Sequence, residues 1–473
     1  MSRKAGKLDP KRRAVIKAAM MTGGLSFISA GPALSQMEEV LEKTGPSIKE
    51  VVVTPIAIED PPLLNAAGLH APYALRLVIE LVTDDGISGI SELHGGERIR
   101  EAMEFAAASV IGMDPFQLHQ ILQHLSDEMF ATAQDESGKN KWDLRMLRRV
   151  YGAIEVACLD IIGKIISRPL VDLLGGKMRD RVPFAAYLFY KHKGAGGPLG
   201  FETDPLAEGW LKGRQEEAVD PAGMVEQAIA MTRQFGFKSL KVKGGVFEPQ
   251  VEVDTVKALR DEFGPEVPIR LDPNAAWKID TAIRYGKQLE GYLEYFEDPV
   301  RGQENMATVR RSLKIPMATN MCTTAFEHLP GSIELGSEDI ILTDHHYWGG
   351  LRACMELARI CDIFGRGVSM HSNSHLGISL AAMVHLGAAY PFLTADLDTH
   401  YPWQTDEVIT QGRFHFEEGA VQLPSGPGLG VELDRKQLAR LHQNYLDCGL
   451  TERNDQIEMQ KIKPGWQRIP ERW

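Results

Sequence analysis

Two lysines end an apolar run in the second half of the chain and are the first residues whose spacing predicts chemistry. Lys241 and Lys243 are separated by one residue, so on a β-strand both side chains point to the same side. Two neighbouring ammonium groups depress each other's pKa, which predicts that one of them can act as a base near neutral pH. The alternative is a pair of solvated lysines at a strand end.

Three residues with oxygen-bearing side chains follow at similar intervals. Asp272, Glu297 and Asn320 each end a short apolar run. Carboxylate and amide oxygens at neighbouring strand ends form half of the coordination shell that Mg²⁺ prefers, and the remaining positions stay open for water or substrate oxygens. Each residue taken alone is more often a helix N-cap than a metal ligand. Their succession behind the lysine pair favours a metal site.

A carboxylate and an imidazole end the next two runs. Asp344 beside His371 would fix the tautomer of the imidazole and raise its basicity. A single histidine followed by Ser372 and Asn373 is otherwise more typical of a structural hydrogen-bonding residue. In a closed barrel, His371 would face the lysines from the opposite side of the mouth, so the pattern predicts two bases around one site.

The spacing of these residues identifies the fold that positions them. Short apolar runs end at Lys243, Asp272, Glu297, Asn320, Asp344, His371 and Asp398, at intervals of 23 to 29 residues, with amphipathic helical stretches between them. This interval fits one strand, one helix and two short loops. With the earlier run 182–190, the pattern predicts eight strands and a (β/α)8 barrel, whose functional residues lie at the carboxyl ends of the strands.

Further segments complete the predicted organisation. The alternating, β-branched stretch 49–93 and the helical stretch 97–166 predict an N-terminal α+β capping domain over residues 36–180. The barrel is expected at 181–425, and residues 426–473 are expected to pack back on the capping domain. The Gly-rich insertion 191–210 interrupts the first barrel unit as a surface flap.

The N-terminal 35 residues have the order of an export signal. A basic region ending at Arg13 precedes a mildly apolar run and then small residues, and Arg12-Arg13 resembles a twin-arginine motif. The alternative is a basic N-terminal arm of a cytoplasmic protein. We therefore expect a periplasmic or otherwise exported enzyme with no membrane association after export.

Composition excludes other classes of protein. The 473 residues are 44% hydrophobic and 25% charged, as in soluble globular proteins. A formal net charge of −12 argues against nucleic acid or anionic membrane as a partner. The five cysteines are scattered without a CxxC spacing, so structural zinc and a disulfide framework are not expected.

Several stretches resemble the enolase superfamily and, within it, the glucarate dehydratase subgroup. The resemblance extends over residues 50–467 and is carried by Lys-Val-Lys-Gly-Gly (241–245), Leu-Asp-Pro-Asn-Ala-Ala-Trp (271–277), Glu-Asp-Pro (297–299), Ala-Thr-Asn-Met (318–321), Thr-Asp-His-His-Tyr-Trp (343–348), His-Ser-Asn-Ser-His (371–375), Asp-Thr-His (398–400) and Pro-Gly-Leu-Gly-Val-Glu (427–432). It implies an enolase-like fold, a barrel with a capping domain.

The resemblance also implies roles for individual residues. Asp272, Glu297 and Asn320 correspond to Mg²⁺ ligands. Lys243 and the Asp344–His371 dyad correspond to bases on opposite faces of the α-carbon of an acid sugar. Lys241 corresponds to a residue that binds the substrate carboxylate, steadied by Asn274.

Further positions correspond to substrate contacts. These are His70, Tyr187, Phe189, His400 and Arg453. Arg453 is expected to bind the distal carboxylate of a dicarboxylic sugar, because a guanidinium suits bidentate recognition. Lys141 stands where the subgroup has a threonine. This departure predicts an extra cation facing the substrate and leaves the epimer preference open.

The predicted activity is Mg²⁺-dependent dehydration of an acid sugar. D-glucarate and L-idarate, giving 5-dehydro-4-deoxy-D-glucarate, are the expected substrates, and another aldarate or aldonate such as galactarate is the alternative. A racemase or lactonising enzyme would need a lysine where Asp344 stands. A non-catalytic acid-sugar-binding barrel would lack a base or a ligand. The expected partner is thus a small molecule, and a homo-oligomer is compatible with the sequence.

Overall fold

The computed structural model describes residues 45–131 and 140–473. The predicted export signal lies outside these residues. The described chain begins with a three-stranded antiparallel sheet, in the order β1-β4-β5, and a small hairpin of β2 and β3. The strands are β1 (Ile48–Glu59), β2 (Leu64–Asn65), β3 (Gly68–Leu69), β4 (Tyr73–Thr83) and β5 (Ser88–His94).

Four helices follow this sheet, and the longest packs against it. They are α1 (Glu97–Ser109), α2 (Leu118–Ala131), α3 (Leu144–Ile165) and α4 (Leu170–Leu173). Asp143 caps the N-terminus of α3 by accepting a hydrogen bond from the Met146 amide. The helix approaches β5 so closely that a Cβ on Gly89 would lie 2.1 Å from the Ala157 carbonyl oxygen. The glycine therefore permits this contact.

The central feature is a curved parallel sheet of seven strands, in the order β13-β12-β11-β10-β9-β8-β7. The strands are β7 (Ala186–Phe189), β8 (Leu240–Lys243), β9 (Ile269–Asp272), β10 (Tyr295–Glu297), β11 (Met317–Thr319), β12 (Ile340–Thr343) and β13 (Gly367–Met370). Nearly all of their residues are buried, as expected for parallel strands covered on both faces. Consecutive pairing in chain order is the arrangement of a barrel wall.

An extended segment at Leu397 and Asp398 occupies the eighth position and closes the barrel. The Asp398 amide donates to the Met370 carbonyl on one side at 2.9 Å. On the other side, the Ala185 amide donates to the Leu397 carbonyl at 2.8 Å. The (β/α)8 barrel with an N-terminal α+β capping domain is therefore confirmed, with the eighth wall position formed by a short bridge rather than by a regular strand.

Helices connect the strands on the outside of the barrel. They are α5 (Gly209–Gly213), α6 (Pro221–Phe235), α7 (Pro249–Phe263), α8 (Ile279–Leu289), α9 (Gln303–Ser312), α10 (Leu329–Leu335), α11 (His345–Trp348), α12 (Leu351–Ile363) and α13 (Gly377–Ala389), with 3₁₀ turns at Gly197–Leu199, Phe326–His328 and Tyr401–Trp403. No helix of the described chain is long and apolar enough to cross a membrane.

The remaining elements attach the C-terminal segment to both domains. They are β6 (Arg181–Pro183), β14 (Phe416–Glu417) and β15 (Ala420–Gln422), which form one antiparallel sheet, and α14 (Arg435–Cys448) and α15 (Asp455–Ile462). His442 on α14 hydrogen-bonds the Pro55 carbonyl of β1 at 2.7 Å. A Cβ on Gly68 would lie 2.2 Å from the Asp455 carbonyl oxygen, so α15 lies directly on β3.

The insertion after β7 is anchored rather than free at its far end. Trp210 is buried, and its indole N–H donates to the Pro402 carbonyl at 2.7 Å. Arg214 is also buried and donates to the carbonyls of Trp403 and Ala195. The insertion thereby supports the loop that carries His400.

Candidate active site

The three predicted metal ligands lie side by side at the carboxyl ends of β9, β10 and β11. Asp272 and Glu297 are the last residues of their strands and are fully buried, and Asn320 follows directly after β11. The Asn320 amide nitrogen donates to Glu297 Oε1 at 2.9 Å. Asp298 holds the next backbone turn by accepting hydrogen bonds from the Thr319 hydroxyl and the Asn320 amide. The strand ends therefore present this donor set as a preformed group.

Both lysines are paired with these acids. Lys243 Nζ donates to Asp272 Oδ2 at 2.6 Å. Lys241 Nζ lies 2.6 Å from Glu297 Oε2 and 2.5 Å from Asp398 Oδ2, and it is completely buried. Asp398 belongs to the segment that closes the barrel.

These ion pairs reverse the expectation about lysine basicity. Burial lowers the pKa of Lys243, but the attraction of the Asp272 carboxylate outweighs burial and the pKa is raised above its usual value. The pKa of Lys241 is likewise raised, because Asp398 and Glu297 outweigh the effect of burial. The predicted lowering of the lysine pKa is therefore wrong, because for Lys243 the attraction of Asp272 outweighs both burial and the repulsion from Lys241.

The residues at the strand ends fit a divalent cation. Two carboxylates and an amide are the oxygen donors that Mg²⁺ prefers. Burial, opposed by Lys241, raises the pKa of Glu297 well above its usual value, and the neighbouring Asp272 and Asp398 raise it further. Burial also raises the pKa of Asp298 to about 7. This concentration of buried acids is the arrangement that a bound cation would compensate.

The predicted dyad is formed by two adjacent strands, β12 and β13. His371 Nδ1 donates to Asp344 Oδ2 at 2.9 Å, which leaves Nε2 as the free nitrogen of the ring. Asp344 Oδ1 accepts two more hydrogen bonds, from the backbone amide and the Nδ1 of His346. Burial opposes the charge of this carboxylate, but the two histidines hold the pKa of Asp344 well below its usual value. Asp344 therefore remains ionised and can support a protonated His371.

A second group of metal-binding residue types lies at the same strand end. Ligand atoms of Asp344, His345 and His346 all lie within 4.8 Å of one another. Both oxygens of Asp344 are already hydrogen-bonded to imidazole nitrogens. We therefore assign this carboxylate to the dyad.

A single cavity of about 610 Å³ opens above these strand ends. Among the residues that line it are Lys243, Asn320, His371, Tyr187, Phe189, His400, His70 and Arg453. The two predicted bases, one predicted metal ligand and five of the predicted substrate contacts thus lie around one space. Its volume suits a small polar ligand.

His400 provides a direct indication of a polar ligand. It is 6% exposed, and among the described residues neither of its ring nitrogens has a hydrogen-bond partner. The rings of Tyr187 and Phe189 hold it in place, with centroids 4.8 and 4.9 Å away. Burial keeps the pKa of His400 well below its usual value. A neutral, unpartnered imidazole on a cavity wall can both donate to and accept from a hydroxyl-rich molecule.

His70 and Arg453 form a pair at the capping-domain side of the cavity. His70 Nδ1 donates to Asp60 Oδ2 at 2.8 Å, and its Nε2 accepts from Arg453 Nη2 at 2.8 Å. Asp455 accepts from both Nε and Nη2 of Arg453. Arg453 is therefore placed at the cavity, but its bidentate edge is already occupied.

Three predicted site residues lie differently from expectation. Lys241 is enclosed by carboxylates and is not among the residues that line the cavity. Asn274 lines the cavity, but its side chain donates to Met321 Sδ rather than contacting Lys241. Lys141 pairs with Glu101 at 2.8 Å at the surface and is not among the residues that line the cavity.

Sequence reasoning missed four residues that complete the site. Asp398 ends the last apolar run of the series of strand ends, and this position could have predicted that it would lie near Lys241. His346 and Tyr347 lie on the short helix α11 directly after Asp344. Arg149 lies on α3, and its guanidinium stacks on the Tyr347 ring at 4.9 Å from the centroid. The spacing of strand ends contains no signal for the latter three.

Comparison with protein families agrees with this architecture. Residues 49–175 match the mandelate racemase / muconate lactonizing enzyme N-terminal domain. Residues 223–437 match the enolase C-terminal domain-like family. The two matches cover the capping domain and most of the barrel.

Individual relatives extend the similarity over most of the chain. The probable glucarate dehydratase of Streptomyces coelicolor is 44% identical over 432 residues, which are 89% of this chain and 97% of that protein. The crystal structure of an enolase from Thermobispora bispora, complexed with magnesium and formate, is 47% identical, with a TM-score of 0.83 over 90% of this chain and 100% of that one. An enolase from Pseudomonas fluorescens with bound magnesium, potassium and tartrate is 42% identical, with a TM-score of 0.83 over 91% and 100%.

The chain therefore belongs to the enolase superfamily. Within that superfamily it is a glucarate dehydratase-like enzyme, a hydro-lyase.

Proposed function

We propose that the protein dehydrates a dicarboxylic acid sugar with Mg²⁺, and that D-glucarate and L-idarate are its substrates, giving 5-dehydro-4-deoxy-D-glucarate. The observation that carries the proposal is the position of Lys243 and His371 on one cavity, beside a buried set of oxygen donors. The 44% identity to a probable glucarate dehydratase supports the choice of substrate.

Two groups of this chain can move protons in the reaction. Lys243 projects from β8 and the dyad projects from β12 and β13, which lie far apart along the barrel wall. Each base can therefore serve one configuration at the substrate α-carbon. Lys243 acts as a base only after losing its proton, and a cation at Asp272 would weaken the ion pair that holds the pKa of Lys243 above its usual value. The base removes the α-proton, and a protonated His371 then gives a proton to the β-hydroxyl, which leaves as water. Asp344 stabilises the protonated imidazole during this transfer.

Asp272, Glu297 and Asn320 would hold the metal ion. Bound there, Mg²⁺ would supply positive charge beside the substrate carboxylate and so make the α-proton more acidic. Lys241 keeps Glu297 and Asp398 in position from the inner side of the barrel. The role of this lysine in the proposed reaction is therefore electrostatic support beneath the ligands.

The sugar hydroxyls have partners on the barrel side of the cavity. His400 offers two unpartnered ring nitrogens, and Ser372 and Asn373 follow His371 on the same loop. Tyr187 and Phe189 close the space beside His400 with aromatic surface. These contacts suit a polyhydroxylated chain of small cross-section.

The site of action proposed for this enzyme is outside the cytoplasm. The order of basic, apolar and small residues within 1–35 and the pair Arg12-Arg13 support export by a twin-arginine route. A fusion of residues 1–35 to a reporter that is active only after folded export would measure this, with Arg12→Lys/Arg13→Lys as the matched control. Equal export of both fusions would contradict the proposal.

The enzymatic proposal is tested by a panel of acid sugars. The full chain, loaded with Mg²⁺, should form a 2-keto-3-deoxy product from glucarate and idarate faster than from galactarate or gluconate. Product formation is followed by detection of the α-keto acid. Faster turnover of galactarate would identify galactarate as the substrate instead. Absence of product from every acid sugar would contradict the proposed dehydration.

A further inference from the structure

The cavity carries more positive charge than a monocarboxylic substrate needs. Of the residues that the structure describes, five arginines and Lys243 line it, and Asp455 is the single acidic residue in this lining. The arginines are Arg145, Arg148, Arg149, Arg301 and Arg453. This excess of cations predicts recognition of a ligand with a second anionic group.

Three of these six cations already have a carboxylate partner. Lys243 is paired with Asp272, Arg148 with Glu327 and Arg453 with Asp455. Arg453 uses Nε and Nη2 for Asp455, so Nη1 is its single nitrogen without a partner among the described residues. One nitrogen cannot form the two parallel hydrogen bonds of a bidentate carboxylate contact. A second donor is therefore needed to bind a distal carboxylate.

Arg149 has the properties of that second donor. It is half-buried, and its Nε is inaccessible to solvent and has no hydrogen-bond partner in the part of the chain that the structure describes. Within residues 45–131 and 140–473, no carboxylate lies within ion-pair distance of its guanidinium. By contrast, Arg145 and Arg301 are exposed at the cavity rim. A cation held partly out of water without a counter-ion is costly unless a ligand supplies the charge.

The position of Arg149 is fixed by Tyr347. The guanidinium carbon lies 4.9 Å from the centroid of the Tyr347 ring, and this ring lies 5.9 Å from that of His371. The Tyr347 hydroxyl is held by Asn373 at 3.1 Å and His94 at 3.2 Å. Arg149, Tyr347 and Arg453 all line the same cavity, so one ligand in this space can face both guanidinium groups.

From these contacts we propose that Arg149, together with Nη1 of Arg453, binds the carboxylate of the substrate that is remote from the predicted metal ligands. Arg149 thereby selects dicarboxylic over monocarboxylic acid sugars. The inference rests on the proposed function for the identity of the sugar, but its claim concerns the second carboxylate alone.

Equilibrium binding tests this inference without requiring turnover. Calorimetry on the full chain with Mg²⁺ compares D-glucarate with D-gluconate, which has a neutral hydroxyl in place of the second carboxylate. Arg149→Met should weaken glucarate binding roughly 10- to 100-fold, the value of one charged hydrogen-bond contact, and leave gluconate binding within threefold. Arg149→Lys should recover part of the loss, because a lysine restores the charge but not the planar donor edge.

The matched control is Arg145→Met, which removes an exposed cation from the same helix and the same cavity. It should weaken both ligands equally and by less than threefold. Equal losses for glucarate and gluconate in Arg149→Met would show that Arg149 only supports Tyr347, and would overturn the inference. Unchanged glucarate binding in this variant would overturn it too.

The outcome for this inference is separable from that for the proposed function. If the wild-type enzyme dehydrates glucarate and Arg149→Met binds it normally, the function stands and the inference fails. If no acid sugar is dehydrated but glucarate binding still depends on Arg149, the inference stands and the function fails.

Discussion

The floor and the wall of the cavity are built in different ways. The floor consists of strand ends, where Lys243, Asp272, Glu297 and Asp398 are buried and tied together by short ion pairs. The wall on the capping side consists of long side chains from α3 and the C-terminal segment, such as Arg149 and Arg453, which retain unpartnered nitrogens. In the proposed reaction, the barrel carries the reacting groups and the partners of the sugar hydroxyls, and the capping side carries the site for the distal carboxylate.

The largest expected effect follows from removal of a metal ligand in the floor. Asp272→Ala removes one of the buried donors and the partner of Lys243, so dehydration should fall below detection and should not return at high Mg²⁺. Activity assays with a Mg²⁺ titration, and calorimetry of Mg²⁺ binding, measure this. Asp261→Ala, at an exposed position of α7, is the control and should behave as wild type.

The metal requirement itself is tested on the wild-type enzyme. Chelation should abolish turnover, and added Mg²⁺ should restore it. Full turnover in excess chelator would show that the floor acts without a cation.

The next effect concerns the two bases. Removal of a general base typically costs roughly 10²-fold or more in rate. His371→Asn should stop proton exchange at the α-carbon of one epimer and leave the exchange catalysed by Lys243 on the other, and Lys243→Met should do the reverse. Deuterium incorporation from heavy water, measured separately in recovered glucarate and recovered idarate, reports the exchange of each epimer. Equal loss on both epimers in both variants, with substrate binding intact, would refute the two-face arrangement.

A buried histidine outside the cavity should make the free energy of unfolding depend on pH. His385 on α13 accepts from the Val171 amide and donates to the Leu429 carbonyl, and burial lowers its pKa to about 4. Between pH 6.5 and 4 the unfolded chain takes up a proton that the folded chain does not, so stability is lost as the pH falls. The expected loss over this window is about 3 kcal/mol.

His385→Gln tests this contribution, because the amide retains a donor and an acceptor but cannot titrate. The free energy of unfolding should fall less steeply for the variant than for the wild type between pH 6.5 and 4. A difference between the two proteins that stays constant over this range would contradict the assignment of the proton to His385.

The smallest expected effect lies at the boundary between floor and wall. His346 donates Nδ1–H to Asp344 and contacts the Glu92 carbonyl of β5 through Nε2, so it links the dyad to the capping domain. His346→Gln should lower kcat about tenfold with little change in KM, because Asp344 loses one positioning hydrogen bond. Steady-state kinetics measures the effects on kcat and KM separately. A change in KM alone would show that His346 contributes to substrate binding instead.

The sequence predicted the floor better than the wall for a physical reason. Strand ends recur at a regular interval, so spacing alone predicted that Asp272, Glu297 and Asn320 would meet and that Asp344 would face His371. The lysine pKa values were predicted in the wrong direction. The spacing shows that the two lysines share a face of the strand, but it does not show that Asp272 and Asp398 form ion pairs with them.

The wall depends on contacts between distant elements. Arg149 reaches the cavity because α3 packs beside α11, and Arg453 is held by Asp455 and by His70, which lies almost 400 residues earlier. Neither contact follows from a periodic pattern. For the same reason, the pairing of Lys141 with Glu101 was visible only in the folded chain.

Removal of an α-proton from an acid sugar and loss of the β-hydroxyl can be observed together in one experiment. The wild-type protein is incubated with D-glucarate and Mg²⁺ in heavy water, and product and residual substrate are followed by NMR. We expect a 2-keto-3-deoxy acid with one deuterium at the former β-carbon, and deuterium at the α-carbon of recovered substrate or its epimer. Absence of both product and α-carbon exchange, with glucarate and Mg²⁺ bound, would contradict it.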